Sequence, residues 1–400
     1  MKTILFVIVT LDLGGAERHL VQVLPKLAGL DFCPVVYTLT HRGKLAQEMV
    51  DKGVKVVQPP FADYLKMLPP LLKRPLLLPL TAITLCMLLI RLRPAAIHFF
   101  LPESYLLGGL CSLLTGQRIR VMSRRSLNRY QIKYPLLARV ERWLHPRMNA
   151  VLGNSRAVVL ELKSEGVHCD RLGLLYNGID LTRFDGLPSR ASVRKSLGIS
   201  EQAHFLVCVA NLIPYKGHAD LIHALGAIRQ ALPNDWVIAM VGRDAGIGPE
   251  LSRLAKEQGI AEHILWLGER ADAIAIYAAA DIGVLSSHEE GFSNSVLEGM
   301  AAGAAMVVTD VGGNGEAVID GECGMVVPAR NPSALGKAVL TLIYDTDMRL
   351  RMVKAGQQRV VEKFALDTCV NRYAGLYRAL LRNPNCTVQN ALDSAHGDVS

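Results

Sequence analysis

Aromatic residues are scarce, 6 % of a 400-residue chain. That weakens any reading as a single-strand nucleic-acid reader built on stacking platforms. The eight cysteines form no C-x-x-C pair and no histidine cluster stands beside them. This is the usage of buried thiols in a reducing compartment, not of a disulfide frame or a zinc site. The 34 glycines follow no Gly-X-Y period and contain no G-x-G-x-x-G after a strand, so neither a collagen nor a dinucleotide site is implied. Disorder is excluded for most of the length, because half of the residues are hydrophobic and a fifth are charged. At about 100 to 200 residues per domain, two or three domains are expected.

No apolar run reaches the ~20 residues that a spanning helix wants. The first, Ile4 to Leu11, is interrupted by Asp12 and has no small-x-small site after it. It reads as a buried strand ending in Gly14-Gly15, not as a leader. The second, Pro75 to Ile90, has 16 uncharged residues, two prolines, and basic flanks at Lys66, Lys73, Arg74, Arg91 and Arg93. A buried core helix is expected after Pro79. The alternatives are a monotopic segment whose apolar side dips into a leaflet while the flanks meet headgroups, and, last of the three, a true transmembrane span.

Charge is uneven. Residues 1–185 carry 25 Lys+Arg against 13 Asp+Glu, a net of +12, and the remainder nets −4. A basic half can meet phosphorylated ligands, nucleic acid or anionic lipid. The cluster Arg118, Arg120, Arg124, Arg125 and Arg129 has no interleaved aromatics. It points to a polyanionic acceptor or a lipid surface sooner than to nucleic acid.

Short apolar runs alternate with helical stretches from Ile4 to Gly153 and again from Phe205 to Val327. That rhythm predicts two parallel sheets, each covered on both faces. Between them Thr182–Arg190 is polar, contains Pro188, and reads as a linker. The expected domains are 1–182 and 183–365, then a helix 366–382 crossing back to the first domain, then a polar tail 383–400 that frays.

The chemistry gathers at strand-to-helix turns. Gly14-Gly15-Ala16-Glu17 lets backbone approach an anion at a helix start; a plain tight turn explains it equally well. Lys216 stands just before a helix, where its charge and the helix dipole face the same way. Ser286 to Ala301 holds a glycine loop, a run of N-cap candidates, and three acids, of which Glu290 and Glu298 lie eight residues apart. Carboxylates beside an anion-binding helix end suit a ligand that also carries hydroxyls. Val311-Gly312-Gly313-Asn314-Gly315-Glu316 is a third such turn. Asp345-Thr346-Asp347 could hold a metal, but between two amphipathic helices it reads as a cap.

Together these motifs resemble the family 4 retaining glycosyltransferases. The resemblance rests on Gly14-Gly15-Ala16-Glu17, Asn154-Ser155, Asn177-Gly178-Ile179-Asp180, Lys216-Gly217, Val241-Gly242, Leu267-Gly268-Glu269 and, most specifically, Glu290 and Glu298 with Gly291-Phe292 between them. It implies an α/β GT-B fold, two Rossmann-like domains facing each other across a deep cleft. It implies hexosyl transfer from a nucleotide sugar, UDP- or GDP-linked, with retention and without a protein-bound metal. The acceptor would be lipid-linked or a surface polysaccharide, at the cytoplasmic face of an anionic membrane. By that resemblance Lys216 holds the diphosphate and Glu298 the ribose hydroxyls. Glu290 with Gly291, Phe292, Ser293, Asn294 and Ser295 holds the sugar and β-phosphate, and Gly14 and Gly15 close over the diphosphate. Asn211, Arg243, Glu269 and Arg270 lie near the donor, and Arg124, Arg125 and Arg129 form the acceptor patch. Two departures stand out. The family usually has Arg where this chain has Asn211, and no His follows the fifth strand of the first domain. His98, at the preceding strand's end, is the candidate acid-base group. The alternatives are a non-catalytic binding protein with a degenerate GT-B fold, or another GT-B enzyme such as a nucleotide-sugar epimerase.

Overall fold

The structure, a computed structural model, describes residues 1–12, 14–62 and 70–394, except for the side chains of 70–76 and of Arg129. Lys66, Lys73, Arg74 and the first two residues of the Pro75–Ile90 run therefore lie outside the described side chains, as does the end of the tail. The chain divides into two compact units. Unit 1 holds Met1–Gly178 and Leu366–Ser400, and unit 2 holds Ile179–Ala365.

Unit 1 has seven parallel strands: β1 (Lys2–Ile8), β2 (Phe32–Thr38), β3 (Lys55–Val57), β4 (Ala96–Phe100), β5 (Arg120–Arg124), β6 (Ala150–Gly153) and β7 (Leu172–Leu174), in the order β3-β2-β1-β4-β5-β6-β7. Unit 2 has six: β8 (His204–Val209), β9 (Trp236–Val241), β10 (Ile264–Gly268), β11 (Ile282–Leu285), β12 (Ala305–Thr309) and β13 (Met325–Val327), in the order β10-β9-β8-β11-β12-β13. The strands are runs of Val, Ile, Leu and Phe without alternation because helices bury both faces. In each sheet the order reverses once, between β1 and β4 and between β8 and β11. At such a point the loops diverge and leave room for a ligand at the strands' carboxyl ends.

One face of the first sheet is covered by the helices Gly15–Ala28 and Leu366–Arg382. The second of these returns from unit 2 and supplies Tyr373, Leu376, Tyr377 and Leu380 to the core. This packing corrects the expectation for His98. It lies in the middle of β4, fully buried, with Nδ1 2.6 Å from Tyr377 Oη and Nε2 2.8 Å from Ser123 Oγ. Both ring nitrogens are engaged in the core, so His98 is a structural histidine. His19 has the same fate, with Nε2 3.2 Å from Tyr373 Oη. The tail expectation is also corrected as far as residue 394. Val388–Asp393 is a helix whose Val388 and Leu392 pack on β7, where a Cβ on Gly173 would lie 2.7 Å from each.

The other face of the first sheet carries Pro70–Leu92, Pro102–Leu114, Pro135–Leu144 and Arg156–Ser164. The first of these is only half the core helix that the sequence suggests. Thr81, Leu85 and Leu89 are buried, while Leu80, Ile83, Met87 and Ile90 are exposed. Under these helices Arg124 forms a buried network. It donates to Glu165 (2.5 and 2.8 Å) and to Glu141, and His145 Nε2 lies 3.1 Å from Glu165. Burial alone would push the Glu165 carboxyl up, but the hydrogen bonds from His145 and Arg124 outweigh it and hold the group well below the usual range. Removing one partner from such a pair costs roughly 3–5 kcal/mol, because the other charge stays buried.

Burial lowers His19 and His98 well below 6.5, and pushes His218 in unit 2 down to about 4. All three are neutral in the fold, whereas the unfolded chain takes up protons near the ordinary value of 6.5. The unfolded state therefore binds more protons below that pH. Stability is full above about 6.5 and falls as pH drops, by up to about 1.4 kcal/mol per pH unit for each such group. Thermal midpoints should fall between pH 7 and pH 5, and His98→Gln should make that slope shallower for unit 1. A slope unchanged in the variant refutes this assignment.

Candidate functional site

In unit 2 the loops that follow β8, β11 and β12 are locked together by backbone approaches. After β8 the chain makes the 3-10 turn Pro214–Lys216 and then a left-handed residue, Gly217, at φ +68°. A Cβ on Gly217 would lie 1.9 Å from Ser286 O, at the end of β11. Ser286 Oγ donates to Gly217 O (2.9 Å), and His288 N donates to Tyr215 O (2.7 Å). On the other side Gly312, at φ +54°, leaves no room for a Cβ, which would fall 1.9 Å from Glu290 O. Gly313 N donates to Gly291 O (2.8 Å), and Thr309 Oγ1 to Ser287 O (2.5 Å). The three glycine turns of unit 2 noted in the sequence are thus one assembly, at the point where the strand order reverses.

The assembly sets Lys216 Nζ 2.5 Å from Glu290 Oε1, and Ser287 Oγ donates to the same oxygen (2.8 Å). Both charged side chains are mostly buried. Beside them the helix Asn294–Ala302 begins at Ser293, whose side chain makes no capping bond, and no acid lies in its first turn. Elsewhere Ser155, Asn331 and Asp345 do cap their helices with their side chains. Ser295 instead turns back to the sheet, donating to Val209 O (2.7 Å) and lying 2.6 Å from Tyr277 Oη. Phe292 is buried, its ring 5.4 Å from Phe364. Such a place favours an anion through an ammonium and a helix N-terminus, and its carboxylates can accept from hydroxyls.

Glu298 sits one turn into the helix and accepts from Arg183 Nη1 (3.1 Å). Arg183 escapes sequence reasoning because it lies in the polar stretch read as a linker, which in fact holds the 3-10 turn Leu181–Phe184. Asn211 Oδ1 accepts from Arg243 N (3.1 Å), and Gly242 N donates to Gly268 O (2.8 Å), so the ends of β8, β9 and β10 also meet. Arg243, Glu269 and Arg270 are exposed there. Arg270 is not a free cation, since it grips Asp272 with two bonds (2.7 and 2.6 Å), which lower the Asp272 carboxyl. Asp345 accepts from Met348 N (2.8 Å), as a cap does.

In unit 1 the arginine cluster is not one surface patch. Arg124 is the buried centre of the network above, which corrects its place in an acceptor patch. Its side chain points to the face that carries Pro135–Leu144 and Arg156–Ser164, whereas Arg125 lies just past the strand end. Arg125 Nη2 donates to Asn177 Oδ1 (2.6 Å), and Asn154 Nδ2 reaches Arg125 O (3.4 Å). Two supporting motifs of the sequence therefore orient one cation. The side chain of Arg129 lies outside the described residues. Gly14 and Gly15 open the first helix. A Cβ on Gly14 would lie 2.2 Å from Glu17 Oε2, while Gly15 is exposed and unobstructed. Burial raises the Glu17 carboxyl. Glu141, His145 and Glu165 converge as a metal-binding trio could, but the guanidinium of Arg124 already occupies their midst. They suit that cation, not a metal ion.

Residues 13–183 match the model of Glycosyltransferase Family 4, and residues 189–359 that of Glycosyl transferases group 1. The chain belongs to this glycosyltransferase family, which spans most of its length. Curated relatives include the D-inositol 3-phosphate glycosyltransferase of Thermomonospora curvata, 32 % identical over 57 % of this chain and 56 % of that one. The lipopolysaccharide core biosynthesis mannosyltransferase LpsB of Rhizobium meliloti is 28 % identical over 60 % and 68 %. The chain spans about half the length of the inositol-phosphate relatives it matches. Among solved structures, Anabaena Alr3699/HepE in complex with UDP and glucose superposes with a TM-score of 0.79 at 22 % identity, covering 94 % of this chain and 98 % of that one. The fold is therefore that of the GT-B glycosyltransferases.

Gly217 and Gly186 share φ +68°, but nothing lies within 4 Å of a Cβ built on Gly186. Gly186→Ala should cost only the left-handed strain, about 1 kcal/mol. Gly217→Ala must also separate the two loops, so it should destabilise unit 2 further and displace Lys216. Denaturant unfolding of both variants checks this; equal losses refute the close approach as the constraint.

Proposed function

We propose that the protein is a retaining glycosyltransferase. It takes a nucleotide sugar, UDP- or GDP-linked, and passes the sugar to a lipid-linked or surface-polysaccharide acceptor. It works peripherally at an anionic membrane, on the cytoplasmic side. The observation that carries the transfer reading is the Lys216–Glu290 pair beside a helix start without a side-chain cap, at the strand-order reversal of unit 2. The UDP held by the Anabaena structure and the lipopolysaccharide core biosynthesis named for the Rhizobium relative support the donor and acceptor classes. The net +12 of residues 1–185 supports the membrane.

In this reading Lys216 exchanges Glu290 for the donor's diphosphate, and the amides from Phe292 to Ser295 take phosphate oxygens. Glu290, released from the ammonium, accepts from sugar hydroxyls. Glu298, held by Arg183, accepts from the ribose. As the glycosidic bond to phosphate breaks, positive charge grows at the anomeric carbon and negative charge on the leaving diphosphate. Lys216 and the helix end stabilise that leaving charge more in the transition state than in the ground state. His98 takes no part, and the departing phosphate oxygen can itself accept the acceptor's proton. A non-catalytic binding protein would share the donor site, and turnover separates the two.

Lys216→Ala should weaken UDP binding by roughly 1.5–3 kcal/mol, about ten- to more than hundredfold, and suppress transfer. Titration calorimetry and an assay of sugar release check it; unchanged affinity and turnover overturn the assignment. Transfer should also survive EDTA, because cations and amides supply the charge that a metal would otherwise bring. Loss of activity on chelation, with recovery on adding Mn²⁺ or Mg²⁺, would show that a divalent ion takes this role.

A further inference from the structure

The outward side of unit 1 is made of side chains that water disfavours. In Pro70–Leu92 every exposed residue described between Leu78 and Ile90 is apolar, among them Ile83, Ile90 and Met87, the last 64 % exposed. The helix Pro102–Leu114 packs beside it, with Cys111 Sγ 3.7 Å from Ala82 O. After Glu103 its exposed positions are Leu110 and Leu114, the latter 83 % exposed. Pro135–Leu144 packs on that helix in turn, where a Cβ on Gly109 would lie 3.1 Å from Leu144. It adds exposed Trp143, whose ring carries the Arg147 guanidinium 3.8 Å from its centroid. All three helices bury their inner residues against one face of one sheet, so these outward residues share a side. A surface helix normally turns polar residues outward, and a contiguous apolar side of this kind marks a docking surface.

The charges around it say what docks. Among the described residues 77–144 the exposed charges are Arg91, Arg93, Arg118, Lys133, Arg139 and Arg142 against the single acid Glu103, while Arg124 and Glu141 pair in the buried network. Arg91 and Arg93 close the first helix, and Arg139 and Arg142 stand exposed on the third. A second copy of the chain would bring two such basic rims together, whereas an anionic lipid surface complements both the rim and the apolar centre. Trp143 with Arg147 has the amphipathic character of a headgroup-level anchor. No described helix is long and apolar enough to cross a membrane.

We propose that this three-helix face is the surface by which the protein seats on anionic lipid. The proposal rests on the peripheral-membrane reading above and names the side chains that carry it. None of them belongs to the donor site in unit 2. The test is flotation with vesicles of phosphatidylcholine alone and of phosphatidylcholine with phosphatidylglycerol, for the full chain and for Met87→Glu and Leu114→Glu. Thermal melts and UDP titration serve as controls of folding, and sedimentation equilibrium without lipid reports self-association. The full chain should float with anionic vesicles, less so in high salt, and each variant should partition at least about tenfold more weakly while keeping its melt and its UDP affinity. Should the variants float as well as the full chain, the membrane reading stands and this face is wrong. If the full chain floats with neither vesicle, both are wrong. A dimer that the variants dissolve, with no flotation, assigns the face to a second copy instead.

Discussion

The 2.5 Å contact between Lys216 Nζ and Glu290 Oε1 depends on two backbones approaching where no side chain fits. Gly217 lies against the end of β11, and Gly312 lies against the carbonyl of Glu290. Each glycine does two things: it adopts a positive φ, and it vacates the volume that the neighbouring loop fills. Three loops are thereby fixed by main-chain bonds before any ligand arrives. The ordering entropy of the site is spent in folding and not in binding. In the proposed reaction a charged pair preset in this way would exchange one partner for another with little backbone movement, which is the preorganisation that electrostatic catalysis needs.

The sheet makes the same economy possible elsewhere. Arg124 and Arg125 are neighbours in sequence, yet Arg124 is the centre of a buried ion network and Arg125 is a half-buried cation at a strand end. Successive strand residues face opposite ways, and β5 ends at Arg124. Glu141, Glu165 and His145 arrive from two different helices and the loop beyond them to meet the inward arginine. That network holds the helices of one face in place without presenting charge to solvent. Arg125, just past the strand end, instead donates to Asn177, from the loop after β7, and interacts with Tyr373 of the helix Leu366–Arg382.

Much of this was legible in the sequence. The βα rhythm, both sheets, and the glycine turns with Lys216, Glu290 and Glu298 follow from apolar runs and from glycines placed where strands end. What escaped was partnership across long separations. Tyr377 lies 279 residues from His98, so no local pattern could reveal that the histidine is held in the core by a helix that leaves and returns. Arg183 lies 115 residues from Glu298, in a stretch whose polarity and proline mark only a loop. The Val388–Asp393 helix escaped because a few scattered apolar residues in a polar tail give little sign of a dock until Gly173 is seen to leave space for Val388 and Leu392.

The run after Pro79 shows a different limit. Its uniform apolarity predicts burial, since periodicity cannot separate two faces that are both apolar. Only the structure separates Leu85 and Leu89, inside, from Met87 and Ile90, outside. Folding alone explains the inner stripe. The outer stripe gains nothing from folding, and exposing it to water brings a risk of aggregation that a lone soluble domain has no reason to carry. Its composition therefore answers to something outside the fold, and the basic excess among the exposed charges beside it, where Glu103 is the single acid of the described residues 77–144, answers to the same thing. One anionic, apolar-centred partner accounts for both patterns with a single constraint.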